Sequence, residues 1–228
     1  MSWIGNYDEK REDLIRRLIN TGAIHSPEVI RAMSKVPRHE FVPEEQRDYA
    51  YIDTPLSIGS GQTISAPHMV GMMAEALELQ KGHKVLEVGT GRGYHAAVVA
   101  EIINPDKELG RGHVYSLEII PELAEISTRN LSKTNYDQTV SVVCKDGSEG
   151  YEEQAPYDRI QVTAAAPDLP PPLIKQLSVN GIMVIPVGNI LYFQTLVKVR
   201  KVSDSKIETE SCGGVAFVPL IGRFGFQE

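Results

Sequence analysis

From residue 84 onward the chain alternates short apolar runs with helical stretches, and this rhythm constrains its fold more than any other feature. Strand-like runs fall at 84–88, 113–117, 140–144, 159–163 and 181–187. Helical stretches lie between them near 94–103, 121–133 and 171–178. Such alternation predicts a parallel sheet with helices on both faces, an α/β doubly wound fold. The tail changes character. Two strand-like runs, 192–201 and 207–217, are separated by Ser203-Asp204-Ser205. That spacing predicts a C-terminal antiparallel strand pair closing the sheet.

The first 80 residues read differently. Leu14, Ile15, Leu18 and Ile19 recur at helical spacing among charges, so 8–21 reads as a helix stopped by Gly22. Ser26-Pro27-Glu28 resembles an N-cap with proline at the first helical position, opening a helix that runs to about Met33. Pro37 and Pro43 punctuate the segment after that helix. Residues 51–65, with Asp53, Pro55, Gly59 and Gly61, read as an ordered loop. A further helix begins near Pro67 and carries Val70, Met73, Ala74 and Leu77. These elements form an N-terminal helical cap on one sheet domain, and 228 residues suffice for both. The formal net charge of −7 argues against a protein that grips nucleic acid by its backbone. No run approaches the roughly 20 apolar residues that span a bilayer. Asp8, Glu9, Glu12 and Asp13 occupy the N-terminus where a secretory signal would carry an apolar core, so an intracellular protein is expected. Cys144 and Cys212 form no metal-ligand pair, and no metal is expected.

The run 84–88 exits into Gly89-Thr90-Gly91-Arg92-Gly93. Parallel sheets bind ligands at the carboxyl ends of their strands. Glycines there let the backbone turn tightly and approach a ligand. The spacing is G-x-G-x-G, and Tyr94 stands where the dinucleotide fingerprint wants a third small residue. Glu87, just before the loop, is a carboxylate able to face a cationic or hydroxylated ligand. Both details lean towards S-adenosylmethionine over NAD; the competing reading is an ordinary strand-to-helix turn. Glu118 ends the second strand, where a carboxylate accepts hydrogen bonds from ribose hydroxyls; locally it also suits the cap of the helix at Pro121. Asp146-Gly147 follows the third strand and reads as an adenine contact or as a plain Asp-Gly turn.

One helix upstream of the glycine loop, residues Gly61-Gln62-Thr63-Ile64-Ser65-Ala66-Pro67-His68-Met69 pack an amide, two hydroxyls and an imidazole into nine positions. Methyl transfer mainly needs positioning of its acceptor. An amine acceptor calls for Asn or Asp, two prolines and an aromatic after the fourth strand. Here that place reads Val162-Thr163-Ala164-Ala165-Ala166-Pro167, with no aromatic platform. A carboxylate acceptor is already ionised at neutral pH and needs only donors that aim it, a task that suits Thr63 and Ser65.

These residues carry a resemblance. The run 61–69, the preceding Tyr51-Ile52-Asp53-Thr54-Pro55-Leu56, the loop 86–94 and the tail 213–222 together resemble the protein-L-isoaspartate O-methyltransferases, over about 13–226. The resemblance implies a Rossmann-like methyltransferase sheet whose last two strands are exchanged. It implies transfer of the methyl of S-adenosylmethionine, with S-adenosylhomocysteine as product, to the α-carboxyl of L-isoaspartyl residues in damaged proteins and peptides. The ester then closes to a succinimide that reopens towards normal aspartate. By the same resemblance Ser65 is the active-site serine. Cofactor contacts fall on Gln62, Thr63, Ile64, Ser65, His68, Gly89, Gly91, Gly93, Glu118, Ile119, Asp146 and Gly147, to which Glu87 is added for its place before the loop, and substrate contacts on Ser65 and Val218. Residues 1–80 become the cap and substrate loop, and 81–228 the cofactor-binding sheet of a single domain. A cytoplasmic monomer without nucleic-acid or membrane partners is expected.

The sequence departs from this pattern at Arg92, where a small residue is common and a solvent-facing guanidinium is expected, and at 104–112, a longer connection expected to make a surface excursion. Ser65 ahead of Ala66-Pro67 also suits a plain helix N-cap. His68 reads as a cofactor-side contact rather than a base, and 215–220 reads as mostly core. A methyltransferase acting on a small molecule or RNA, and an adenosine-binding module without catalysis, are the other readings.

Overall fold

The computed structural model describes residues 7–189 and 194–227. Its centre is a seven-stranded sheet. The strands are β3 (Lys84–Val88), β4 (His113–Glu118), β5 (Val140–Cys144), β6 (Tyr157–Val162), β7 (Leu177–Gly188), β8 (Gln194–Ser203) and β9 (Lys206–Val215), in the spatial order β5-β4-β3-β6-β7-β8-β9. The first five run parallel; β8 returns antiparallel against β7, and β9 against β8. The strand order reverses direction at β3, which places the switch point between β3 and β6. The expected tail pair is therefore present, with the final strand at the sheet's outer edge. The expected strand 192–201 starts outside the described residues, and its described part begins at Gln194.

Alternation along β3 assigns the two faces. Val85 joins one core with the N-terminal helices, α4 (Tyr94–Ile103) and α5 (Pro121–Lys133), whereas Leu86 and Val88 join a second core with Ile160, Val162 and Leu173. Leu173 belongs to α6 (Pro171–Gln176). That helix is shorter than the expected 171–178 because Leu177 already begins β7. Each helix and crossover thus buries one side of a sheet that is apolar on both, which is what the long Val/Ile/Leu runs require.

The N-terminal part folds against the first core. Leu14, Ile15 and Leu18 of α1 (Tyr7–Asn20) and Val29, Ala32 and Met33 of α2 (Pro27–Lys35) are buried there. The loop expected at 51–65 is corrected. It holds a hairpin, β1 (Leu56–Gly59) paired antiparallel with β2 (Gln62–Ile64). Leu56, Ile58 and Ile64 are its buried residues, while Ser60 and Gly61 take positive φ (51° and 70°) at the turn. The hairpin delivers the chain to α3 (Pro67–Ala76), whose Met73 packs on Ile182, Val184 and Leu196.

Candidate active site

A cleft of about 250 Å³ opens at the carboxyl ends of β3, β4, β5 and β6, where the strand order predicts a ligand site. Gly89 and Gly91 form one wall, Glu118 to Ile120 and Gly147 another, and Thr63, Thr163 and Val218 complete it. Gly89 sits at φ 95°, and a Cβ there would collide with the Thr163 hydroxyl. That hydroxyl donates to the Gly89 carbonyl at 2.6 Å, so Thr163 clamps the loop from β6. Gly93 does not line the cleft. It is the N-cap of α4, at φ 94°.

The two acidic residues behave differently. Glu118 lines the cleft. Its carboxylate accepts from Gly91 N–H at 2.8 Å and from Ile120 N–H at 3.0 Å, tying the exits of β3 and β4 together. Burial raises its pKa, and the backbone N–H groups of Ile120, Gly91 and Ile119 oppose that rise. Ile120, not Glu118, is the N-cap of α5, and Glu118 holds the N–H of that residue from two positions before it. Glu87 does not face the cleft as expected. It is wholly buried beneath the loop, bonded by Ser116 and by Gln161 Nε2 (2.6 Å). These two are its register neighbours on β4 and β6. Burial pushes its pKa up to about 8. Ser116 in turn touches Thr90 Oγ1 at 2.6 Å, so a buried polar chain underpins the glycine loop.

Asp146 is turned towards the tail. One oxygen accepts from Ser148 N–H at 2.8 Å and the other from Arg223 N–H at 2.7 Å. Gly147, its neighbour, faces the cleft and packs so closely on Val88 that a Cβ would overlap it. Ile119 lines the cleft and is 42% exposed, an apolar surface available to a flat ring.

Beside the cleft lies a more open groove of about 480 Å³, lined by Pro55, Ser65, His68, Met69 and residues 214–218; Thr63, Thr163 and Val218 are common to both cavities. His68 therefore stands on the groove and not in the cleft. Asp53 accepts from its backbone N–H at 2.8 Å and meets Nδ1 at 2.9 Å. This settles the capping question. The N-cap of α3 is Ala66, without a side-chain cap bond of its own, and Asp53 supplies the acceptor from the preceding segment. Ser65 Oγ is not used in capping, and no hydrogen bond among the described residues occupies it. Its carbonyl is held at 2.8 Å by Arg38 Nη2, a fully buried guanidinium that also reaches Ala50 O at 2.9 Å. Burial lowers the Arg38 pKa to about 10.

The tail is less buried than its sequence suggests; of 215–220, only Leu220 is buried. It is stitched to the sheet by backbone. Ala165 N–H donates to Val218 O at 2.8 Å, and Gln194 exchanges bonds with Phe217 N–H and C=O. Arg92 is also corrected. It is half-buried, its Nε has no hydrogen-bond partner among the described residues, and burial lowers its pKa. The 104–112 segment does make an excursion, closed by reciprocal bonds between Asn104 and Glu108, with Leu109 85% exposed. Ile64 and Ser65 line a third, small niche behind the glycine loop, and Gln62 lines the cleft. Thr163, Asp53 and Arg38 are the residues that sequence reasoning missed; a lone Thr after a strand and a distant Asp carry no pattern of their own.

A doubly wound sheet with the Glu118 carboxylate on the wall, an apolar platform at Ile119 and a glycine-walled cleft suits an adenosine-bearing ligand. This is the arrangement of S-adenosylmethionine-dependent methyltransferases. The chain belongs to the protein-L-isoaspartate(D-aspartate) O-methyltransferase family, whose model matches residues 9–225. A Methanopyrus kandleri protein-L-isoaspartate O-methyltransferase is 57% identical over 96% of this chain and 94% of its own length. The Hyperthermus butylicus relative of the same name is 55% identical over 97% and 92%. A Plasmodium falciparum protein described as a protein-L-isoaspartate O-methyltransferase, solved in complex with S-adenosyl-L-homocysteine, superposes with a TM-score of 0.83 at 29% identity, covering 92% of this chain and 98% of that one.

Proposed function

We propose that this chain transfers a methyl group from S-adenosylmethionine to the α-carboxyl of L-isoaspartyl residues in damaged proteins and peptides. The observation that carries the reading is the position of Ser65: its hydroxyl has no hydrogen bond among the described residues, and it lines the groove two positions after Thr63, which borders groove and cleft alike. The acceptor carboxylate is ionised at neutral pH and requires no general base. It requires orientation against the methyl group. Ser65 Oγ donates to one carboxylate oxygen, and Arg38 fixes the backbone that carries it. Glu118 accepts from the ribose hydroxyls, and Gly89, Gly91 and Gly147 bring the backbone close to the ligand. Thr63 and Thr163 stand where cleft and groove join. S-adenosylmethionine, when bound, supplies the methyl from its sulfonium and leaves as S-adenosylhomocysteine. Residues 214–218 offer backbone groups to an extended peptide, Val218 among them. Esterification turns the unreactive carboxylate into an acyl group with a better leaving group: the amide nitrogen of the next residue attacks the ester carbonyl, methanol leaves, and the succinimide that forms begins the repair.

The same reading has the enzyme act as a cytoplasmic monomer with no nucleic-acid or membrane partner, and its net charge of −7 disfavours a polyanion. Among the described residues no helix is long and apolar enough to cross a membrane, and no group of three or more His, Cys, Asp or Glu is placed to hold a metal ion. The deciding experiment supplies labelled S-adenosylmethionine with matched peptides containing isoaspartate or aspartate. Label is expected in the isoaspartyl peptide as a base-labile ester. Equal label in both peptides, or none in either, overturns the assignment.

A further inference from the structure

His95, the second residue of α4, belongs to none of the roles above. It lines the niche of about 40 Å³ that lies behind the glycine loop and beside Ser65. The residue is 7% exposed, and neither ring nitrogen has a hydrogen-bond partner among the described residues. Leaving a buried polar group unpaired costs roughly 1–3 kcal/mol, and folded proteins rarely tolerate it. Two such atoms on one ring point to partners that arrive with a ligand. Burial, reinforced by the charge of Arg38, pushes the imidazole pKa down to about 3. The ring is therefore neutral at working pH and offers one donor and one acceptor.

The niche shares Thr63, Gly89, Gly91 and Thr163 with the cofactor cleft, so it continues the cleft past the glycine loop. Its volume exceeds the roughly 10–15 Å³ that one water needs, leaving room for a few heavy atoms. At the far end of the cleft stand Glu118 and Gly147, which suit the nucleoside. An α-amino acid carries a carboxylate that accepts and an ammonium that donates, the complement of a neutral imidazole. We infer that His95 is a specificity-determining residue for the cofactor, binding the α-amino and α-carboxylate end of S-adenosylmethionine in the niche behind Gly89 and Gly91. The inference rests on the cofactor assignment made above.

Calorimetric titration of wild type, His95→Leu and His95→Gln with two ligands tests it. S-adenosylhomocysteine has the amino-acid end; 5′-methylthioadenosine has the same nucleoside and thioether without it. The leucine variant is expected to bind S-adenosylhomocysteine about tenfold more weakly or worse, as for a lost hydrogen bond to a charged group. Its affinity for methylthioadenosine should stay within about twofold. Glutamine, which keeps a donor and an acceptor, should recover most of the loss. Equal weakening towards both ligands, as a water-filled structural niche would give, overturns the inference, and so does no change towards either. If the leucine variant does not fold, His95→Met carries the same comparison. A wild-type protein that binds neither ligand overturns the cofactor assignment and this inference with it.

Discussion

The cleft and the groove meet at Thr63 and Thr163, yet they are built in opposite ways. The cleft is made by successive exits of neighbouring parallel strands, and its groups are fixed by backbone: Glu118 by two N–H donors, the glycine loop by Thr163. The groove takes its walls from residues 55–69, from Thr163 and from 214–218, segments far apart in sequence and only partly buried. The difference teaches that nucleoside binding is a property of the sheet, whereas presentation of the acceptor depends on how cap and tail are fastened to it. The fasteners are few: Arg38 under Ser65, Asp53 on α3, and Gln194 on Phe217.

Breaking a fastener should give the largest effect. Arg38→Leu orphans the carbonyls of Ala50 and Ser65, so a stability loss of about 2–6 kcal/mol is expected by urea denaturation, from roughly 1–3 kcal/mol for each unpaired group. Unchanged stability would show that the cap does not depend on that guanidinium. On the cleft side, Glu118→Ala should weaken S-adenosylhomocysteine binding by about 1–3 kcal/mol, read by calorimetry, and an unaltered dissociation constant removes Glu118 from the site. On the groove side, Ser65→Ala should lower turnover about tenfold, or roughly 1.4 kcal/mol, while S-adenosylhomocysteine affinity holds. If affinity falls in step with turnover, the two regions are not separable at this residue.

The last effect concerns Glu87 and sharpens what lies beneath the cleft. Its folded pKa, about 8, is raised above the ordinary carboxylate value of 4.5 by burial. The fold therefore retains a proton that the unfolded chain has lost. The stabilising contribution is complete below pH 4.5 and is lost as pH rises to about 8. Glu87→Gln should flatten stability across that window, as followed by thermal melts, and an unchanged pH slope would mean that another group titrates there.

Much of the sheet was legible because its signal is local and periodic. The expected helix at 94–103 matches α4, and the strands at 84–88 and 140–144 match β3 and β5. The hairpin at 56–64 was not legible, because two strands of four and three residues around Gly and Ser carry too little alternation to outweigh the turn signals. Glu87 was misread for another reason. Its partners Ser116 and Gln161 lie 29 and 74 residues away and become neighbours only through parallel register. Capping of α3 followed the same logic: Ser65 holds the right chemistry at nearly the right position, but Asp53, 15 residues before His68, reaches the helix first.

At the outer edge of the sheet, strand β9 has no neighbouring strand on one side among the described residues and carries Lys206, Glu208 and Glu210 exposed along it. Charges on a sheet edge oppose strand-to-strand association. An enzyme whose proposed clients are aged, partly unfolded polypeptides works among chains prone to stick. The charged edge lets it handle them beside its groove without itself seeding their aggregation.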